Sequence, residues 1–412
     1  MIYNQKPMVS KKTNIKGEIT LNGSKSISNR ILMIQAISGE EFSISGLSNA
    51  KDTTTLKSLL EKLNEPILDA GEAGTAYRFM TAYLAWKGNN QVLMGTKRMC
   101  ERPIGVLADA LNELGAKICY VGKQGYPPLH MKEHKIDQWG QRITIGAHVS
   151  SQFISALLLI APVLPNGMEL ILEGKIISRP YIQMTLNLME EFGILALWHN
   201  DMIKVPNQEY VPKPFVVEAD WSAASYYYSL VAIADEATIQ LNGLQQNSVQ
   251  GDAVLVDIME SFGVKTTFNE RGILLEKIPC SITEFKYDCS DCPDLAQTLA
   301  VVCAALKVEA ELTGLETLTI KETDRINAVK VELEKLGCLV DATENSLSIR
   351  KGITNQQQSI KVNTYDDHRM AMAFAPLALI LDKVSMEDKK VVCKSYPKFW
   401  DDFQTLGLGD YE

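Results

Sequence analysis

One arrangement of apolar and polar positions recurs along the chain. The runs ending in Gly115 (Ala110-Leu111-Asn112-Glu113-Leu114), Gly193 (Leu188-Met189-Glu190-Glu191-Phe192), Gly263 (Ile258-Met259-Glu260-Ser261-Phe262) and Gly337 (Glu332-Leu333-Glu334-Lys335-Leu336) each space apolar residues along one helix face. Each run stops at glycine, which takes a left-handed C-cap without a Cβ penalty, and then continues as a strand-like stretch. Leu59-Leu60-Glu61-Lys62-Leu63-Asn64 is a weaker copy with Asn at the cap. The glycines lie roughly 70 to 80 residues apart, longer than a solenoid period, so the pattern predicts repeated α/β subdomains. At 412 residues the chain exceeds one ordinary core, and two domains are expected. A boundary is expected around Pro206 to Glu218, where three prolines precede the apolar strand Phe215-Val216-Val217. Asn355 to Gln358 reads as a polar surface loop.

The polar residues that interrupt this pattern gather at predicted helix starts. Gly23-Ser24-Lys25-Ser26-Ile27-Ser28-Asn29-Arg30 runs straight into Ile31-Leu32-Met33-Ile34. First-turn N–H groups lack intrahelical partners and the helix dipole is positive there, so this turn is suited to an anion. Gly71 to Arg78 repeats the theme, with two glycines and Thr75 ahead of a helix. Arg102 precedes Pro103, which suits the first position of the next helix; taken alone, Lys97 to Pro103 reads as a solvated basic loop. Ser150-Ser151-Gln152 holds more polar groups than a plain N-cap needs, and Ser178-Arg179-Pro180-Tyr181 is similar.

The second half carries the rest. Lys321-Glu322-Thr323-Asp324-Arg325 is read as opening the helix to Gly337, with Lys321 and Arg325 on one face; a surface salt-bridge lattice would look the same. Tyr365-Asp366-Asp367-His368-Arg369 heads an almost wholly apolar helix, so its charges must end in a cleft or at an interface. Asp294, ahead of the apolar helix Leu295 to Leu306, reads either as an N-cap or as a site carboxylate. Lys394-Ser395-Tyr396-Pro397 closes the set. Lys25, Arg30, Arg102, Lys321, Arg325, Arg369 and Lys394 together suit substrates bearing several phosphate and carboxylate groups. Asp294 and Glu322 are the carboxylates among them placed to move protons.

Composition narrows the field. A formal charge of −9 disfavours a general nucleic-acid or anionic-membrane surface. The apolar run Phe153 to Leu164 is too short for a membrane span and contains Pro162. No secretory leader is expected at Met1-Ile2-Tyr3, so the eight cysteines read as reduced thiols in a cytoplasm. Cys289-Ser290-Asp291-Cys292 has CxxC spacing without a second pair nearby, and buried thiols are expected there rather than zinc. No metal-ligand spacing and no dinucleotide glycine fingerprint is found.

The segments GSKSISNR, AGTAYR, ERPIGVLADAL, SSQF, SRPY, KETDR, DDHRMAMA and KSYPKFW occur in this order over nearly the whole chain. So ordered, they resemble the 5-enolpyruvylshikimate-3-phosphate synthase family. The resemblance implies an inside-out α/β barrel of two similar domains built from repeated βαβαββ units. The domains would be 23–217 and the discontinuous 1–22 with 218–412, crossed near Leu21–Ser24 and Val217–Ala219. It implies enolpyruvyl transfer from phosphoenolpyruvate to the 5-hydroxyl of shikimate 3-phosphate, without metal or organic cofactor, by a cytoplasmic monomer. On the matching positions Ser26, Arg30, Ser150, Ser151, Ser178, Tyr181, Asp294 and Lys321 would hold shikimate 3-phosphate, with Gln152 between the substrates. Lys25, Arg102, Arg325, Arg369 and Lys394 would hold phosphoenolpyruvate, with Gly74 behind it. Asp294 would take the 5-hydroxyl proton, and Glu322 with Lys25 would protonate the methylene carbon.

The chain departs from the family's pattern at several places. Glu72 stands where Asn is usual, and should repel an anion unless a nearby Lys or Arg pairs with it. Thr317 replaces an Asn, and Phe79 follows Arg78 where Pro is common. Asp52 to Gly71 is short, so the first unit is expected to lack strands. The SSQF form resembles the glyphosate-sensitive class, and sensitivity is expected. Rival readings are a UDP-N-acetylglucosamine enolpyruvyl transferase, for which Cys100 or Cys119 would be the reactive thiol, and a non-catalytic anion-binding protein on the same fold.

Overall fold

The structure is a computed structural model and describes residues 14–147, 150–354 and 359–408. The chain start and the loop expected at 355–358 lie outside those residues. In chain order the first half holds β1 (Asn14–Thr20), α1 (Lys25–Ser38), β2 (Ile44–Ser45), α2 (Lys51–Glu61), β3 (Ile67–Asp69), α3 (Gly74–Lys87), β4 (Gln91–Met94), α4 (Gly105–Leu114), β5 (Ile118–Tyr120), β6 (Leu129–Met131), β7 (Arg142–Gly146), α5 (Ser151–Ile160), β8 (Met168–Glu173), α6 (Arg179–Glu191), β9 (Leu197–His199), β10 (Met202–Val205) and β11 (Phe215–Val216). The second half holds α7 (Trp221–Ile233), β12 (Glu236–Asn242), α8 (Leu255–Glu260), β13 (Val264–Asn269), β14 (Gly272–Lys277), β15 (Glu284–Asp288), α9 (Ala296–Leu306), β16 (Glu309–Thr313), α10 (Arg325–Glu334), β17 (Leu339–Ala342), β18 (Leu347–Lys351), β19 (Ser359–Val362), α11 (His368–Phe374), β20 (Lys383–Met386) and α12 (Phe399–Thr405).

Four sheets share one topology: β3-β4-β6-β5, β7-β8-β10-β9, β1-β12-β14-β13 and β15-β16-β18-β17. In each, two parallel strands are followed by an antiparallel hairpin, as in a βαβαββ unit; one helix joins the parallel strands in three of the sheets, whereas residues 21–235 separate β1 from β12. The recurrent glycines end the second helix of these units, with φ of 126° at Gly115, 83° at Gly193, 78° at Gly263 and 76° at Gly337. The weaker copy behaves differently. Its helix α2 ends at Lys62 with φ −110°, so Asn64 is not a left-handed cap, and the chain passes to β3 without a hairpin. Among the described residues the sheet there has only β11 and β2. This is the shortened first unit. Among the described residues the last unit is short as well: β19 and β20 pair parallel with no hairpin after α12.

The apolar faces form two separate cores. One gathers residues from Ile27 to Val217; the other gathers Ile15, Ile19 and Leu21 with residues from Ala219 onward. β1 reaches the second core because it pairs in parallel with β12. The two crossing segments lie side by side, with a Gly23–Ala219 bridge, Ser24 N–H donating to Glu218 O at 2.8 Å and Asp220 N–H donating to Asn22 O at 3.0 Å. A side chain at position 23 would run into the carbonyl of Gly46, so glycine is required there. No helix among the described residues is long and apolar enough to cross a membrane. Cys289 and Cys292 are buried in the second core.

Candidate active site

Helix N-termini converge between the two cores. From the first come α1 with Lys25 and Ser26, α3 with Gly74 and Thr75, α5 with Ser151 and Gln152, and α6, whose N-cap is Ser178. From the second come the Pro293–Leu295 turn ahead of α9, then α10, then α11. A helix start carries N–H groups without intrahelical partners and the positive dipole end, which favour an anion, although side chains cap one or more of those groups on α1, α5, α10 and α11. Ser150 caps α5 by accepting from Gln152 N–H, while Ala73 supplies no side-chain cap to α3. A Cβ on Gly74 would stand 2.7 Å from Nη1 of both Arg102 and Arg78, so glycine lets two guanidinium groups close on this helix end.

The expected residues fall into adjoining cavities. Lys25, Gly74, Arg102, Gln152, Arg325 and Arg369 line one. Ser26, Arg30, Ser150, Ser151, Ser178 and Tyr181 line a second. Lys25, Gln152, Asp294, Thr317 and Lys321 line both. Lys394 stands in a third recess with Arg102 and Glu322, its Nζ 2.9 Å from Glu322 Oε1.

One open alternative is decided and two local expectations are corrected. Asp294 caps nothing: Pro293 starts a 3-10 turn, the N-cap position of α9 is Leu295, and the Asp294 carboxylate projects into the cleft. Lys321 is not on a helix, because Asp324 caps α10 and the helix begins at Arg325. Lys321 and Arg325 therefore meet through the turn rather than along one helix face. Pro103 is not the first helical residue either, since α4 starts at Gly105 after Ile104.

Both carboxylates are tied to cations. Asp294 Oδ2 lies 2.7 Å from Arg369 Nη2, and Oδ1 lies 3.0 Å from Arg325 Nη1. Burial alone would raise the Asp294 carboxyl, but Arg369, Lys321, Arg325 and Lys25 outweigh it and hold the group well below the carboxylate range. Glu322 Oε2 lies 2.9 Å from Arg325 Nη2, with Lys394 and Arg102 on Oε1 at 2.9 and 3.9 Å. Burial opposes its ionisation too, and the charges of Lys394, Arg325 and Arg102 overcome it. Arg325 also pairs with the fully buried Asp367 through Nε at 2.7 Å.

On the other side Arg30 faces neutral groups. Arg30 donates to Thr185 Oγ1 at 2.7 Å, Ser26 O at 2.8 Å, Ser155 Oγ at 3.0 Å and Tyr181 O at 3.1 Å. These bonds fix the guanidinium without neutralising it, and burial pushes it down to about 10. The uncompensated charge of Arg30 is a site for a phosphate. Burial lowers Lys321 to about 8 against the opposing pull of Asp294. Tyr181 O–H stands between Asp252 Oδ1 at 3.4 Å and Asp294 Oδ2 at 3.5 Å. Burial and the neighbouring Asp294 push the Asp252 carboxyl up to about 7.

Several residues of the cleft were not anticipated in these roles. Arg98, read as part of a solvated loop, reaches across the cleft: Nε donates to Glu322 O at 3.1 Å and Nη2 to Lys321 O at 3.3 Å. Asp52 pairs with Lys25 at 3.5 Å. Arg78 lines the cavity of the arginines; burial and Arg102 push it down to about 9. Its position four residues into a glycine-rich helix start was the available signal. Phe79, the departure after Arg78, is buried with the Arg30 guanidinium 5.6 Å from its ring centre. Glu72 is exposed in the outer recess, with Lys51 4.0 Å away, so its charge faces solvent rather than the inner cavity.

Comparison with known proteins agrees with this geometry. A family model described as EPSP synthase (3-phosphoshikimate 1-carboxyvinyltransferase) matches residues 9–67 and 56–403. A 3-phosphoshikimate 1-carboxyvinyltransferase of Bacteroides fragilis is 46% identical over 404 residues, covering 98% of each chain. Those of Buchnera aphidicola and Haemophilus influenzae are 35% and 34% identical, covering 95% and 96% of this chain and 95% and 97% of theirs. In fold, the chain is similar to an EPSP synthase structure from Acinetobacter baumannii, with a TM-score of 0.75 at 21% identity over 96% of this chain and 97% of that one. The chain therefore belongs to the EPSP synthase (3-phosphoshikimate 1-carboxyvinyltransferase) family.

Proposed function

We propose that this chain transfers the enolpyruvyl group of phosphoenolpyruvate to the 5-hydroxyl of shikimate 3-phosphate and releases phosphate. The observation that carries this is the pair of adjoining cavities that share Lys25, Gln152, Asp294 and Lys321. One is lined by arginines suited to a carboxylate and a phosphate. The other joins Arg30 to serine hydroxyls suited to a sugar-like phosphate. Ser26, Arg30, Ser150, Ser151, Ser178, Tyr181 and Lys321 hold shikimate 3-phosphate. Lys25, Arg102, Arg325, Arg369 and Lys394 hold phosphoenolpyruvate, with Gly74 behind it and Gln152 between the two. The domains are 23–217 and 1–22 with 218–412; the break between the two cores at Val217 and Ala219 supports that division.

Asp294 accepts the 5-hydroxyl proton as that oxygen bonds to the central carbon of phosphoenolpyruvate. Glu322, with Lys25, delivers a proton to the methylene carbon, giving a tetrahedral adduct. The adduct then loses phosphate as its methyl group gives up a proton, restoring the double bond. In the free site Asp294 and Glu322 are the counter-ions of the arginines. An anionic substrate takes those cations, and both carboxylates then rise toward the range in which they exchange protons. The cationic walls also offset repulsion between the two substrates and hold them in reacting geometry. Both half-sites come from one chain, which supports a monomer, and eight unpaired cysteines support a reducing cytoplasm.

The test is phosphate release from phosphoenolpyruvate with shikimate 3-phosphate, with UDP-N-acetylglucosamine, and with no acceptor. Release only with shikimate 3-phosphate is expected. Release only with the nucleotide sugar would overturn the assignment.

A further inference from the structure

Two consecutive non-glycine residues stand in the left-handed region just ahead of Arg369. Tyr365 and Asp366 both have φ of 54°. Residues with a Cβ resist this conformation, tyrosine more than aspartate. Such backbone persists only where its surroundings over-determine it. This turn is held from both ends. After it, Asp367 accepts from Arg369 N–H at 2.9 Å, and its own N–H donates to Thr364 O at 2.8 Å. Before it, Thr364 N–H donates to Glu387 Oε2 at 3.1 Å.

The strongest hold comes from Glu332 on α10, whose side chain is fully buried. Its Oε1 accepts from the Tyr365 hydroxyl at 2.8 Å, and its Oε2 accepts from Asn363 N–H at 3.2 Å. Lys335 supplies the counter-charge, at 2.7 and 2.6 Å from the two oxygens. Glu332 and Tyr365 line neither inner cavity. The turn nevertheless leads directly to Asp367, which grips Arg325, and to Arg369, which grips Asp294.

We propose that Glu332 is a positioning residue: through the Tyr365 hydroxyl and the Asn363 N–H it holds the left-handed turn 365–366, and so aims Arg325 and Arg369 at the phosphoenolpyruvate half of the cleft. The inference rests on the function proposed above. It acts mainly on that half, because the helix starts that carry Ser26, Arg30, Ser151 and Tyr181 lie on other elements, while of the shikimate 3-phosphate group Asp294 and Lys321 adjoin the two arginines.

The test compares Glu332→Gln and Tyr365→Phe with the native chain. Both variants are expected to raise KM for phosphoenolpyruvate roughly three- to tenfold, as loss of one buried hydrogen bond allows. KM for shikimate 3-phosphate is expected to stay within twofold by the same scale. Asp366→Gly is expected to lower the raised KM in the Glu332→Gln background more than it changes the native value, because glycine holds the turn without the clamp. Equal rises in both KM values, or a lowered Tm with an unchanged KM for phosphoenolpyruvate, would overturn the proposal. Amide exchange at 365–369 provides a readout independent of catalysis. Faster exchange in both variants supports the clamp, and unchanged exchange overturns it. A native chain that releases no phosphate with shikimate 3-phosphate would instead defeat the proposed function, and exchange would still decide the clamp.

Discussion

Asp294 Oδ2 lies 2.7 Å from Arg369 Nη2, so the carboxylate placed to take a proton and a guanidinium placed to take an anion occupy each other in the free site. Glu322 stands in the same relation to Arg325 and Lys394. The acid–base groups and the binding groups are thereby linked: an anion that displaces one frees the other.

Proton uptake on binding follows from this exchange. Glu322 is held well below the carboxylate range by Lys394, Arg325 and Arg102. When phosphoenolpyruvate takes those charges, the group rises back toward the carboxylate range and takes up protons. The ligand's own phosphate also titrates, at about pH 6, so the difference from Glu322→Gln isolates the protein's share. Calorimetry in buffers of different protonation enthalpy should show greater uptake by the native chain. Equal uptake would contradict the exchange.

Lys321 gives the site an alkaline limit. Burial lowers its ammonium to about 8, so the cation is intact below that pH and is lost as pH rises through it. The quantity kcat/KM for shikimate 3-phosphate should fall above about pH 8. Arginine keeps its charge to far higher pH, so Lys321→Arg should move the fall upward. A profile of the same shape in both would count against this role.

Arg98 should matter through its reach across the cleft. Its two bonds to the carbonyls of Lys321 and Glu322 are exposed, and together are worth about 1–2 kcal/mol, or a factor of about 5–30. Arg98→Ala should lower kcat/KM for phosphoenolpyruvate by about tenfold on that scale, with thermal stability little changed. An unchanged kcat/KM would reduce the contact to a surface feature.

Gly74→Ala presses a methyl group against two arginines. The new Cβ would lie 2.7 Å from Nη1 of Arg102 and of Arg78, and both must withdraw. KM for phosphoenolpyruvate should rise roughly tenfold, as loss of about 1.4 kcal/mol of binding implies, while KM for shikimate 3-phosphate holds. Equal effects on both substrates would place the strain elsewhere.

Much of this architecture was legible in the chain because it is local. The helix–glycine–strand runs became βαβαββ units, and Gly193, Gly263 and Gly337 took the left-handed caps that their position required. The cluster at Ser24–Arg30 was legible because polar residues in a first turn precede an apolar helix. What could not be read depends on partners far along the chain. Arg98 bonds to a residue 223 positions away, and nothing in its own loop encodes that. Asp294 read equally as a cap or a site carboxylate because it precedes an apolar helix; Pro293 starts a 3-10 turn first, and the carboxylate lies in the cleft. Lys321 lost its expected helix because Asp324 caps α10 one residue before Arg325. Phe79 was visible as a departure, but its contact with Arg30 exists only in three dimensions.

The most direct measurement is shikimate 3-phosphate-dependent phosphate release by the native chain beside Asp294→Ala and Glu322→Ala. Loss of a positioned acid or base typically removes about 10²–10⁴ in rate, so kcat should collapse by that order in both variants. Native activity in either variant, with the same dependence on shikimate 3-phosphate, would contradict the assignment of proton transfer to these two carboxylates.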